Sequence, residues 1–180
     1  MGFRISYIVA DMPLAELATS IGLTIGLQVS EMPVENALWG TELHSGCAVI
    51  WAEDELFPLK REAAIAKASA ENEILSVVIN ETVMASTVMF FKNGQDMGFW
   101  HWQGDQPKSA HNPSSHGELP FRLGELIHHA QTSQADDPSV DGMFDVPVEL
   151  INSECGFRYD MYLKPSETKG FWHLSSGEMQ

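Results

Sequence analysis

The sequence predicts an α+β fold: a mainly antiparallel sheet with a three-stranded meander at about 73–102 and helices packed on one face. Three observations carry that expectation. Strand-like segments follow one another between residues 73 and 102 with no room for a helix, so they must pair antiparallel. Segments of helical period flank that stretch instead of alternating with every strand. A lone meander is marginal in water, so the helices are needed to cover it. With 180 residues, 44% of them hydrophobic, the chain is long enough to bury a real core. We expect one α+β domain over 1–165, with a loop at 103–118 inside it, and a C-terminal tail at 166–180, docked or flexible.

The elements follow in order. Phe3–Ala10 is rich in β-branched and aromatic residues and predicts a strand. Asp11 can cap the helix after it, with Pro13 in the first turn. Leu14, Leu17, Ala18 and Ile21 share one helical face, and Gly22 ends the helix. Residues 23–46 hold Gly26, Pro33, Gly40 and Gly46 and read as short extended pieces and loop. Cys47–Ala52 is a short apolar strand. Pro58 opens an Ala-rich helix to about Ala70.

Glu73–Asn80 and Glu81–Phe91 are the first two strands of the meander, with a polar turn near Asn80-Glu81. Asn93-Gly94 is a type I′ hairpin signal leading into Met97–Trp102. In that third strand Trp100 and Trp102 share one face, and Phe99 and His101 the other. Residues 103–118 are turn formers with little apolar content. A helix follows from Leu119 to Gln134, then an acidic connection at 135–142. Asp145 and Pro147 suit the start of a short helix through Cys155, and Gly156 its end. Phe171 and Trp172 belong to an edge strand or docked tail.

Charge is unevenly placed. The net charge is −15, and two stretches without a single Lys or Arg carry fifteen acids between them. Residues 5–59 hold Asp11, Glu16, Glu31, Glu35, Glu42, Glu53, Asp54 and Glu55. Residues 123–157 hold Glu125, Asp136, Asp137, Asp141, Asp145, Glu149 and Glu154. Such acidity argues against nucleic acid and anionic membranes, whose phosphates need Lys and Arg. It suits general solubility or, more sharply, an acidic face made for a basic protein. No apolar run approaches the ~20 residues of a membrane span. Two cysteines and no secretory signal point to a cytoplasmic protein with reduced thiols.

No motif specifies a reaction. P-loop, G-x-G-x-x-G, G-x-S-x-G, H-E-x-x-H and C-x-x-C patterns do not occur, so no cofactor and no metal is expected. His128 and His129 are adjacent on a helix and diverge by about 100°. His44 stands three residues before Cys47, but acidic surroundings raise a thiol pKa, and Cys47 reads as a buried structural thiol. Glu53-Asp54-Glu55 could bind a hard cation or form a solvated turn before a helix. Asp136, Asp137 and Asp141 lack the pattern of a Ca²⁺ loop.

Phe144-Asp145-Val146-Pro147-Val148-Glu149-Leu150, followed by Gly156-Phe157-Arg158-Tyr159-Asp160, resembles a C-terminal signature in a group of uncharacterised bacterial proteins. The group often has His where this chain has Tyr159. The Asn93-Gly94 hairpin and the Trp-rich strand resemble their central region, and the layout is loosely similar to small immunity proteins. The resemblance carries over no activity.

Three functions are therefore expected in order. The first is a non-enzymatic binding protein that meets a basic protein through Glu53, Asp54, Glu55, Asp136, Asp137 and Asp141, with Phe99, Trp100 and Trp102 as aromatic anchors. The second is an enzyme of unrecognised type with a pocket at His44, His101 and Asp105, near Glu53. The third is a homo-oligomer pairing through an aromatic patch or sheet edge.

Overall fold

The computed structural model describes residues 2–33, 38–104, 113–136 and 141–176. The α+β class holds. Nine strands form one open sheet in the order β2-β9-β3-β4-β1-β5-β6-β7-β8, every neighbouring pair antiparallel. They are β1 (Arg4–Ala10), β2 (Leu23–Val29), β3 (Leu38–Leu43), β4 (Ala48–Ala52), β5 (Ile74–Asn80), β6 (Ala85–Lys92), β7 (Gln95–Gln103), β8 (Ser114–Gly117) and β9 (Thr168–Ser176). The helices are α1 (Leu14–Ser20), α2 (Glu62–Ala68), α3 (Phe121–Asp136) and α4 (Val146–Cys155).

β1 is the central strand, and its alternation sorts the core into two layers. Tyr7 and Val9 point to a cluster shared with Leu123 and Ala130 of α3 and with Val146, Val148, Leu150 and Ile151 of α4. Ile8 and Ala10 point to a second cluster shared with Leu14, Leu17 and Ala18 of α1 and Ile65 of α2. The helices thus cover both faces, two on each, where one covered face was expected. The reason lies in strands such as β1 and β4, which are apolar at successive positions and need burial on both sides.

Period two along β7 places its residues as expected, but the second helix layer changes their meaning. Trp100 and Trp102 are buried under α3 and α4, so neither is a surface anchor. Phe99 keeps about a third of its surface exposed and lies against His116, with ring centroids 6.4 Å apart.

The β6–β7 turn is the one its sequence calls for: Asn93 and Gly94 both have positive φ, 55° and 76°. The polar stretch 103–118, expected to be loop, contributes β8. A Cβ on Gly98 would stand 2.0 Å from the His116 carbonyl oxygen, and one on Gly117 equally close to that of Met97. This glycine pair lets two backbones meet where apolar patterning gives no signal.

The C-terminal segment is the larger surprise. Thr168–Ser176 is neither tail nor edge. As β9 it pairs with β2 on one side and β3 on the other. Phe171 is fully buried, edge-on to Trp39 at 5.6 Å. Residues 23–46, read as loop and short pieces, provide both of its partners.

The start of α1 is served by a residue other than the one expected, whereas α4 starts where expected. Asp11 does not cap α1; Pro13 is the N-cap residue, and the Leu14 amide donates to Glu42 of β3 at 3.3 Å. Asp145 occupies the N-cap position of α4 without a side-chain capping bond, while Asp141 accepts from the Phe144 amide at 3.3 Å. Gly156 ends α4 in the left-handed region, φ 78°.

Candidate functional site

The two cysteines, 108 positions apart in sequence, lie on the same core, Cys47 within it and Cys155 packed against it. Two chain reversals place them there. The β3–β4 turn closes through hydrogen bonds from the Leu43 amide to the Cys47 carbonyl (2.8 Å) and from the Gly46 amide to the Leu43 carbonyl (2.9 Å), with Gly46 at φ 96°. Behind it, α4 ends at Cys155, and Gly156 turns the chain so that Phe157 packs edge-on against Tyr7 at 5.3 Å. The end of α4 therefore rests on the β3–β4 turn. Cys47 is buried, while Cys155 is half-buried.

The thiols influence each other more than anything else does. The neighbouring Cys155, burial and the charge of Asp11 push the Cys47 thiol up, and its Sγ donates to the Ala48 carbonyl at 3.9 Å. The influence of Cys47 draws Cys155 below the ordinary thiol range; the Phe157 amide helps, and burial and the charge of Glu154 oppose. Cys155 is thus the thiol that ionises first.

Two cavities flank the pair, with Ser45 in the wall of both. One, of about 240 Å³, is lined by Asp11, Glu73, Glu154 and Cys47. The other, of about 390 Å³, is lined by His44, Cys155, Arg158, Tyr162 and Lys164. A carboxylate-rimmed hollow thus stands beside Cys47, and one bearing cations beside Cys155.

The expected acidic cluster has a different character. Glu53, Asp54 and Glu55 follow β4, so the whole of that strand separates them from Cys47. Asp54 pairs with Lys60 at 2.6 Å, and Glu55 pairs with Arg4 and accepts from Asn80. These partners hold both carboxyls below their usual range. Glu53 is exposed. Glu42 and Glu149 likewise find cations from outside the base-free stretches, in Lys169 and Arg158. Folding therefore undoes part of the charge segregation seen along the chain.

The remaining expected residues do not form one site. Asp141 accepts from the Trp102 indole N–H at 3.1 Å, a structural role. Asp105 and Asp137 lie outside the described residues, and Asp136 is the last residue of α3. His44 is exposed in the β3–β4 turn. His101, four strands from β4, bonds to Thr87 at 2.8 Å, and burial lowers its pKa. His44, Glu53 and His101 therefore share no cleft. Among the described residues, no group of three or more His, Cys, Asp or Glu could hold a metal ion, and no helix is long and apolar enough to cross a membrane.

No family model, curated protein or solved structure matches this chain. The thiol pair was missed in sequence because neither Cys47 nor Cys155 has a neighbour that announces it. The one available signal was Gly156, which predicts a chain reversal beside Cys155.

Proposed function

We propose that the protein is a non-enzymatic binding protein whose acidic surface receives a basic protein, as the likeness to immunity proteins implies. The contact is centred on the carboxylate-rimmed cavity at the thiol end. The observation that carries this reading is the lining of that cavity: Asp11, Glu73 and Glu154 with no Lys or Arg among them. Only Glu73 has a cationic partner, Lys92 at 3.2 Å. Acids facing an open hollow without counter-charges attract a guanidinium or ammonium group and speed encounter with its carrier. The acids at the opposite end already hold Arg4 and Lys60 and have less to offer a ligand. The scattering of His44, Glu53 and His101 takes support from the enzymatic alternative.

Fluorescence anisotropy with an arginine-rich peptide tests the reading. Binding should weaken as salt rises. The Asp11→Asn/Glu154→Gln double variant should bind about tenfold more weakly, equivalent to about 1.4 kcal/mol. A Glu53→Gln/Asp54→Asn variant, matched in charge, should bind nearly as well as the parent. Equal losses in both variants would mean that net charge alone acts, and the assigned surface would be wrong.

A further inference from the structure

We propose, on the footing of the acidic contact, that the basic partner is held by two adjoining cavities: a cationic side chain enters the carboxylate-rimmed hollow, and an apolar side chain a second hollow beside it. The second hollow, of about 260 Å³, lies between the β6–β7 turn and the segment leading into α3. Phe90 in its lining is buried, and Met97, Leu119 and Pro120 are half-buried. The Glu118 amide donates to the Met97 carbonyl at 2.8 Å, which ties the start of β7 to that segment. Glu73, just before β5, lines both hollows. The sheet itself makes them neighbours, because Leu75 of the acidic hollow is the cross-strand partner of Phe90 of the apolar one. Both residues belong to the core layer under α3 and α4, so the two hollows open on the same face.

The two hollows supply different parts of recognition. Charge mainly speeds encounter and selects partners. A long-lived complex also needs an apolar anchor withdrawn from water, and such anchors sit in pockets ringed by polar groups. The second hollow has that form: apolar within, with Glu73, Lys92 and Glu118 exposed at its rim. Both cavities, at about 240 and 260 Å³, fall below the ~300–1,000 Å³ of pockets that take a whole small molecule. Each suits one side chain. Lys92 is held by Glu73 with both side chains about half exposed, an ion pair of little strength. An entering guanidinium or ammonium group can therefore take Glu73 over. Because Glu73 is common to both hollows, the two ligand side chains must be close in their own chain. Alternate side chains of an extended segment share a face about 7 Å apart. The occupant is thus a segment of the basic partner with an Arg or Lys about two positions from a large apolar residue.

The test compares two labelled peptides of equal charge on the full chain: arginines spaced by serines, and the same peptide with one serine, two positions from an arginine, replaced by leucine. Fluorescence anisotropy should show the leucine peptide binding about tenfold more tightly, the lower end of what burying a Leu side chain is worth. Leu119→Gln should abolish that gain and leave the serine peptide unaffected. Asp11→Asn/Glu154→Gln should weaken both peptides alike. A benzophenone side chain in place of the leucine should photolabel Met97 or Leu119 of the parent chain, a readout that does not depend on a variant folding. Equal affinity of the two peptides, or labelling away from the second hollow, overturns the two-hollow assignment and leaves the acidic contact standing. A small apolar amine such as phenethylamine that displaces the leucine peptide at equal concentration overturns a protein segment as the occupant. If neither peptide binds in a salt-dependent way, the acidic contact falls, and the two-hollow assignment with it.

Discussion

The two ends of the sheet carry the same residue types and put them to different use. At the end where β4 leads into Glu53, carboxylates are matched: Asp54 with Lys60, Glu55 with Arg4, and Glu81 with the Tyr159 hydroxyl at 2.8 Å and the Phe3 amide at 2.9 Å. At the other end, Asp11 and Glu154 face a cavity beside an unoxidised thiol pair. The matched end holds its chain segments together. The thiol end keeps exposed charge at Asp11 and Glu154, and two free thiols, one buried and one half-buried. Carboxylate content alone therefore says little; the provenance of the counter-charges decides which acids are structural.

The largest effect that sharpens this contrast is expected from the sulfurs. Joining the two cysteines would close a loop of roughly 100 residues in the unfolded chain, and where their geometry admits the bond it should raise stability by about 2–4 kcal/mol. Urea unfolding of the oxidised and reduced forms measures it. No gain, or a loss, would mean that the bond strains the α4 end and that the thiol end is not built to close.

Between the two ends, Arg158 is the cation on which several acids depend. It bonds Glu149 and, through two nitrogens at 2.9 and 3.0 Å, Asp160. It also opposes the upward push that burial gives Asp145. Arg158→Ala should cost about 1–3 kcal/mol, since charged hydrogen bonds are lost at a mostly buried site. The pH profile identifies the cause. Without Arg158, Asp145 lies still higher than its unfolded value. A raised acid destabilises the fold above its folded pKa and is relieved as pH falls through it. The variant should therefore recover part of its deficit as pH falls from 7 towards the ordinary Asp value of about 3.9. A deficit constant over that range would assign Arg158 to packing alone.

How much of this was legible is clear from particular elements. β1, the Asn93-Gly94 hairpin and the Gly156 stop were legible because their signals are local: β-branched and aromatic residues, two positive-φ residues, a left-handed cap. β9 was not, because nothing within Thr168–Ser176 says that β2 and β3 will accept it from either side. β8 was not, because Ser114–Gly117 carries no apolar pattern. Alternation showed that Trp100 and Trp102 share a face, but whether that face is wet depends on α3 and α4. Which acids stay free was not legible for a related reason: Arg4, Lys60, Arg158 and Lys169 come from outside the acid-rich stretches and pair with part of them only after folding. Pairing holds Glu42, Asp54, Glu55 and Asp160 low.

A smaller effect probes the matched end. Tyr159→Phe removes the hydroxyl that donates to Glu81 but keeps the edge-on contact with Phe3, whose ring centroid is 5.9 Å away. Glu81 retains the Phe3 amide, so it is not left without a donor. The cost should be about 1 kcal/mol, read from denaturant midpoints at unchanged slope. A change in slope would instead report loosening of the strand end.

The smallest effect is expected at the Lys60–Asp54 pair, the most exposed of those at the matched end, with 56% and 40% of the two side chains accessible. Lys60→Ala should cost no more than about 0.5 kcal/mol at pH 7, because solvent screens the pair and holding two long side chains costs entropy. Lys60 is the largest cause of the lowered Asp54 pKa. A lowered acid contributes stability that is fully present above its unfolded value of about 3.9 and is lost as pH falls through the folded one. The difference between parent and variant should therefore vanish in thermal melts below about pH 3. The Asp54 side chain also accepts from the Leu56 amide at 2.9 Å, an interaction that the variant retains. If Lys60→Ala cost well above 1 kcal/mol, the matched end would be more than a solvated set of ion pairs. Its 470 Å³ cavity, lined by Glu53, Asp54, Lys60 and Arg61, would then compete with the thiol end as the surface under selection.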